Sequence, residues 1–203
     1  VSITARGGGT SQAGQAIGRG LQLDMGKHFN RVLEVNVAER WARIEPGIVL
    51  DELNAQLLPH RLRFAPDIST ANRATVGGMI SNNSSGARSV LYGKTIDHVL
   101  DLHVALSDGS LVHLRQLEPD VLDEVSQANT LEGRCYRLLR RLGSDHAAAI
   151  ERHYPKIMRR VGGYNLDRFT DQNAPFNLAH LIVGSEGTLG LVVEARVNLV
   201  PLP

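Results

Sequence analysis

Three consecutive glycines, Gly7, Gly8 and Gly9, sit in ARGGGTSQAG (5–14) between an arginine and a hydroxyl pair. Each glycine loses more backbone freedom on ordering than any other residue, so something must lie against this loop. Without Cβ atoms, successive N–H groups can converge into a concave nest that holds phosphate oxygens without a lysine. Thr10 and Ser11 add hydroxyl donors. On this reading a diphosphate lies against the loop, and a carboxylate introduced at Gly8 faces it. The alternative is a tight turn between strands. Three further clusters join glycine to small hydroxyl or amide side chains: TVGGM (75–79), NNSSGARS (82–89) and GSEGTLG (184–190). Four such loops in 203 residues suggest convergence on one extended, polar, phosphate-bearing ligand.

Between the loops the patterning is that of an α+β domain. Strand-like runs come early, at 1–5, 21–25, 31–37 and 41–47, several of them alternating apolar and polar residues. Leu50, Leu53 and Leu57 fall at helical spacing in a segment that Pro59 should end. Two β-rich runs flank Asp108-Gly109, the preferred chemistry of a type I′ hairpin turn. From Pro119 to about Arg160 the pattern is helical, with Tyr136, Leu139 and Leu142 on one face. Residues 180–200 read as two strands around a glycine turn. Aromatics are only 4% of the chain, so the core must be mostly Val, Leu, Ile and Ala.

The standard nucleotide-binding spacings fail. A G-x-G-x-x-G loop starting at Gly7 would need glycine where Gln12 stands. YGKT (92–95) ends like a P-loop, but the first glycine would have to be Arg88, and a strand-like run follows in place of a helix. An NTPase built on Lys94 is therefore a distant option. Neither His98/His103 nor His146/His153 has metal-site spacing, and no metal is expected. The single cysteine, Cys135, excludes an internal disulfide and fits a reducing compartment; it lies between Arg134 and Arg137 with no partner histidine, so packing is its expected role. Residues 133–160 carry eight Lys or Arg against Asp145 and Glu151. No interleaved aromatics favour stacking there, so a solvated face is preferred over nucleic-acid binding. Steering of an anionic substrate or docking of a neighbouring module is the intermediate reading. The near-neutral formal charge of +1 points to no polyanionic partner, and no apolar run reaches the ~20 residues of a membrane span.

RGGGTSQAG, APDIS, TVGGMISNNSSGARSVLYG, VGGYNLDRF and VGSEGTLGLVVEA follow one another in an order that resembles flavoproteins of the vanillyl-alcohol-oxidase type. Among these the chain is most similar to FAD-linked D-2-hydroxyacid dehydrogenases: D-lactate dehydrogenase, the glycolate oxidase flavin subunit and D-2-hydroxyglutarate dehydrogenase. NNSSGARSVLYGKT is closest to the large bacterial members fused to iron–sulfur modules. The resemblance implies a PCMH-type FAD-binding domain over 1–203. It would be incomplete: truncated before the glycine loop by one β-α-β unit, lacking the substrate cap, and carrying a helical insertion at about 119–160.

It further implies a pyrophosphate loop of Gly7, Gly8, Gly9, Thr10 and Ser11, which Gly14 helps to turn. Pro66 and Asp67 would lie along the cofactor. Thr75, Gly77 and Gly78 would pass the flavin, with Asn83, Ser84 and Gly86 continuing that wall. Glu186, Gly187 and Gly190 would form the EGTLG turn, with Val192 at the adenine end. Relatives with covalent FAD carry histidine where Thr10 stands, so non-covalent FAD is expected. An iron–sulfur cluster would belong to a missing module. The implied reaction is hydride transfer from a small anionic D-2-hydroxy acid to FAD, with the base in the absent cap, no catalytic residue within 1–203, and the electron acceptor open. No nucleic-acid partner is expected. The implied location is cytoplasmic, with peripheral attachment to the inner membrane as an option. The competing reading is a catalytically silent structural or interaction module that binds no flavin.

Overall fold

The computed structural model describes residues 1–171 and 173–203. β1 (Ile3–Arg6) and β2 (Leu21–Asp24) pair in parallel, with Ile3 opposite Leu21. The Asp24 carboxylate accepts from Gly26 N and so starts α1 (Met25–His28). β3 (Val32–Asn36) and β4 (Trp41–Ile44) are antiparallel. α2 (Leu50–Leu57) buries its leucines at 50, 53 and 57, as their spacing requires. Pro59 lies inside a 3-10 turn, Leu58–His60, that extends the helix before β5 (Leu62–Arg63). α3 (Val76–Ser81) and α4 (Ser89–Tyr92) are short. β6 (Val99–Ala105), β7 (Leu111–Leu114) and β8 (Gln116–Leu117) lead into the helices α5 (Pro119–Gln127), α6 (Leu131–Asp145) and α7 (Ala147–His153). β9 (Phe176–Asn177), α8 (Ala179–Ile182), β10 (Leu191–Asn198) and β11 (Val200–Pro201) close the chain.

The main sheet is antiparallel in the order β3-β4-β10-β6-β7, so the last long strand is the central one. Ala42 and Ile44 of β4, Leu102 and Val104 of β6, and Ala195 and Val197 of β10 join Leu53, Leu57, Met79 and Ile80 in one buried cluster. Other side chains of these strands form a charged ladder. Arg43 lies 3.8 Å from Glu34 and 3.9 Å from Glu194, His103 lies 3.5 Å from Glu194, and His113 lies 3.1 Å from Asp101. The His103 and His113 rings stack at 4.2 Å. Burial, then His113, hold His103 below the usual histidine range.

Two local expectations are corrected. The turn at Asp108-Gly109 is not type I′, which needs positive φ at both central residues. Here Gly109 is left-handed (φ +85) and Asp108 is not. Gly109 N donates to Leu106 O, and Leu106 N to Ser110 O, which makes a longer loop. The Asp108 carboxylate accepts from the backbone and the hydroxyl of Ser110, favouring this form. Residues 179–182, expected as strand, are the short helix α8. Asn177 Oδ1 accepts from Ala179 N at its start, and Leu181, Ile182 and Val183 are all buried. An apolar run buried all round has no period to distinguish helix from strand.

Glu45, 6% exposed, follows β4 and is held by Arg31 through its backbone N–H (2.8 Å) and guanidinium (2.7 Å). The Arg31 hydrogen bonds hold the Glu45 carboxyl below its usual range against the opposing effect of burial. A depressed folded-state pKa gives stability that is present above the ordinary carboxylate range and lost as pH falls through the folded value. Arg31→Ala should therefore lower the denaturation midpoint at about pH 7, and the deficit should shrink at acid pH, as Glu45 takes up its proton on the way down through its depressed folded-state value. Denaturant titrations at the two pH values measure it; an equal deficit at both would show that Arg31 acts by packing alone.

Candidate functional site

Residues 45–50 and 74–77 zip together beneath the glycine loop. Val49 and Thr75 form an antiparallel bridge, Val76 N donates to Ile48 O (2.9 Å) and Gly77 N to Pro46 O (2.7 Å). The Thr75 hydroxyl accepts from Gly78 N at 3.2 Å. The first amides of α3 are thereby consumed, and the helix start offers nothing to an anion. A Cβ on Gly77 would overlap Pro46, so glycine is what lets these two segments meet.

The glycine loop lies on this platform. A Cβ on Gly7 would overlap the Thr75 hydroxyl, and one on Gly8 the Arg73 carbonyl oxygen. Gly9 has φ +65, and a Cβ there would come within 2.9 Å of Arg6 Nη2. A carboxylate at Gly8 would thus drive into the 73–75 backbone and not into the cleft, contrary to the sequence reading. Close packing and a left-handed backbone account for the triple glycine. What packing does not use are the amides: from Gly7 to Gln15 none donates to an acceptor among the described residues.

The third wall is the turn after α8. Gly184 N (φ +84) donates to Ile80 O at 2.9 Å and Glu186 N (φ +54) to Ser81 O at 2.8 Å, which caps the end of α3. Thr188 Oγ1 donates to Ser185 O. A Cβ on Gly190 would sit 2.6 Å from Val104 Cγ1, so this glycine lets the turn press onto β6.

The three walls enclose an open cleft of about 1060 Å³, counting the part continuous with solvent. Of the expected site residues it is lined by Gly7–Ser11, Thr75, Gly77, Gly78, Ser84, Glu186, Gly187, Gly190 and Val192. The other five lie elsewhere. Gly14 is a left-handed turn residue in open space, and Pro66 is buried. Asp67 pairs with Arg88 at 3.3 Å. Gly86 packs on the Asp67 carbonyl so closely that no Cβ fits. Asn83 is fully buried, left-handed (φ +49), and its Oδ1 accepts from Ile96 N at 3.0 Å. These last four shape the loop behind the cleft.

Sequence reasoning missed lining from Ala5, Gln15, Ala16, Met25, Pro46, Ile68, Thr70, Ala74, Met79, Ser81, Asn82 and Leu191. Several adjoin residues that were expected; Met25 and Pro46 carry no local signal. No lysine, arginine, histidine or cysteine is among the lining residues. Their one ionisable group, Glu186, is pushed up by burial against the pull of a Gln15 hydrogen bond, which lessens its repulsion of an anionic ligand.

The competing motifs have structural explanations. Lys94 Nζ donates to Arg160 O at 3.1 Å, and only a single 3-10 turn, Thr95–Asp97, follows it. His98 Nε2 meets Tyr92 O at 2.6 Å, and no group of metal-ligating side chains occurs among the described residues. Burial pushes the Cys135 thiol up, away from reactivity.

Gly8→Ala should lift the glycine loop from residues 73–75 and speed hydrogen exchange of the amides beneath it. Gly162→Ala, with nothing within 4 Å of its Cβ, should be silent. Mass spectrometry of exchange on the two variants checks this; a silent Gly8→Ala would refute the packing account.

Comparison with known proteins agrees with this geometry. The profile of the FAD binding domain family matches residues 1–115. D-2-hydroxyglutarate dehydrogenase of Pseudomonas putida is 45% identical over 203 residues, all of this chain and 20% of the relative. The Escherichia coli protein of the same name is 40% identical over 99% of the chain and 20% of the relative. Glycolate oxidase subunit GlcD of Bacillus subtilis is 31% identical over all of the chain and 33% of that subunit. The chain thus spans a fifth of the length of its D-2-hydroxyglutarate dehydrogenase relatives. In fold it matches an alkyldihydroxyacetonephosphate synthase (TM-score 0.66, 23% identity) over 99% of this chain and 27% of that one. With more than half of its residues matched by that profile, including the glycine loop and the platform beneath it, the chain belongs to the FAD binding domain family.

Proposed function

We propose that this chain is the flavin-binding module of an FAD-dependent dehydrogenase that oxidises a small anionic D-2-hydroxy acid, most specifically of the 2-hydroxyglutarate class. The observation that carries the reading is the row of amides from Gly7 to Ser11, unpartnered among the described residues, at the edge of a cleft whose lining has no lysine or arginine. Such a nest suits the diphosphate of a dinucleotide. The cleft also has room for one: a Cβ on Gly187 would meet nothing within 4 Å, and one on Gly78 only its own cap, Thr75 Oγ1, at 3.3 Å. The relatives that share the whole chain support the substrate class.

FAD, when bound, supplies the hydride acceptor. The chain's own residues do the rest. The loop amides, with the Thr10 and Ser11 hydroxyls, hold the diphosphate. Arg6, behind Gly9, adds positive charge without entering the lining. The α3 platform and the Glu186–Val192 turn exclude water from the two sides of the cleft. With no histidine or cysteine in the lining, FAD is held non-covalently. The proton acceptor for the substrate hydroxyl and the substrate-carboxylate donors lie outside these residues, as does any iron–sulfur cluster. No helix among the described residues is long and apolar enough to cross a membrane.

The purified protein, mixed with FAD and desalted, should retain flavin absorbance near ~450 nm, as bound oxidised flavin does. Gly78→Leu, which pushes a side chain into the cleft, should weaken FAD binding roughly tenfold or more while leaving the core intact. A colourless protein after loading would instead favour the silent-module reading, and unchanged affinity in Gly78→Leu would remove FAD from this cleft.

A further inference from the structure

The helices α5 and α6 lie beyond the region matched by the family profile and share no residue with the cleft. α6 buries Gly133, Tyr136, Leu139 and Gly143. Its opposite face presents Arg134, Arg137, Leu138 and Arg141, all exposed, at the i, i+3, i+4, i+7 spacing of one helical stripe. Together with α5 this stripe forms a shallow groove lined by Ser126, Arg134, Arg137, Leu138, Arg140 and Arg141.

The charges in the groove are unequally engaged. Arg137 Nη1 donates to the carbonyls of Ser126 and Ala128 at the end of α5, and Arg140 pairs with Asp123 at 2.6 Å. The guanidinium groups of Arg134 and Arg141 make no hydrogen bond or ion pair with a described residue, although the charge of Arg134 is felt by Asp108. At the floor, Ser126 is 5% exposed and its hydroxyl has no partner among the described residues. A buried hydroxyl left unpaired is costly and calls for an acceptor from elsewhere. In the middle of the guanidinium groups, Leu138 is 43% exposed.

We propose that this groove docks an acidic protein segment, one apolar side chain flanked by aspartates or glutamates. An apolar anchor on Leu138 ringed by arginines has the anatomy of a protein interface, where arginine is enriched and the rim is polar. Arg134 and Arg141 stand ~10 Å apart along the helix, from the rise of 1.5 Å per residue. That span suits carboxylates distributed along a chain, not a single phosphate. The groove lining contains no aromatic on which a nucleic-acid base could stack. The interaction is independent of flavin binding.

The test is fluorescence anisotropy of the purified, FAD-treated protein with a labelled peptide of about 12 residues, Glu and Asp around one Leu, in the helix-in-groove mode. Binding should fall with added salt and should weaken roughly tenfold or more in the double variant Arg134→Gln/Arg141→Gln, whose melting temperature stays unchanged. Replacing the peptide's Leu by Ser should also weaken it. Absence of binding, equal binding by the double variant, or displacement of the peptide by inorganic pyrophosphate or an RNA oligonucleotide at matched charge would each overturn the proposal.

Discussion

The insertion of β10 between β4 and β6 is the pairing on which the cleft depends. Ala195 to Asn198 run against Trp41 to Ile44, and Leu191 to Val197 against Val99 to Ala105. Without that strand the sheet would be two separate hairpins, β3-β4 and β6-β7. The turn that precedes it would also have no anchor, and that turn caps α3 through Gly184 N and Glu186 N. A backbone pairing in the sheet thus fixes the wall of a site built largely from loops.

The glycine loop divides its work between two kinds of group. Its missing side chains are used inward, where Gly7 and Gly8 press onto Thr75 and Arg73. Its amides are left without an acceptor among the described residues. In the proposed function they would hold an anion with neutral dipoles, which avoids burying a cation that would need its own partner when the site is empty.

Much of this was legible in the residues. Strand-like runs exposed β3 and β4, leucine spacing exposed α2, and glycine clusters marked all three walls of the cleft. What was hidden has physical reasons. A glycine needed for packing and one needed for a ligand look the same in sequence, so Gly8 was assigned the wrong neighbour. Asn83 and Pro66 sit in the right segment but face inward, and a loop has no period from which to infer direction. Pro46 and Met25 enter the cleft because Glu45 is pinned by Arg31 and because a β-bridge joins 49 to 75; no local pattern reports either contact. α8 was hidden because complete burial removes the alternation that separates helix from strand.

The place of β10 also bears on how the chain acquires its structure. The central strand β10 (Leu191–Asn198) follows both of its partners in the sequence and is far removed from β4 (Trp41–Ile44). Loop closure over such a separation is entropically expensive and slow compared with helix formation. The helices α5 to α7 can form while β4 and β6 still expose unpaired edges, the features most prone to wrong association. Pairing of β10 is then the step at which those edges close and the cleft first exists.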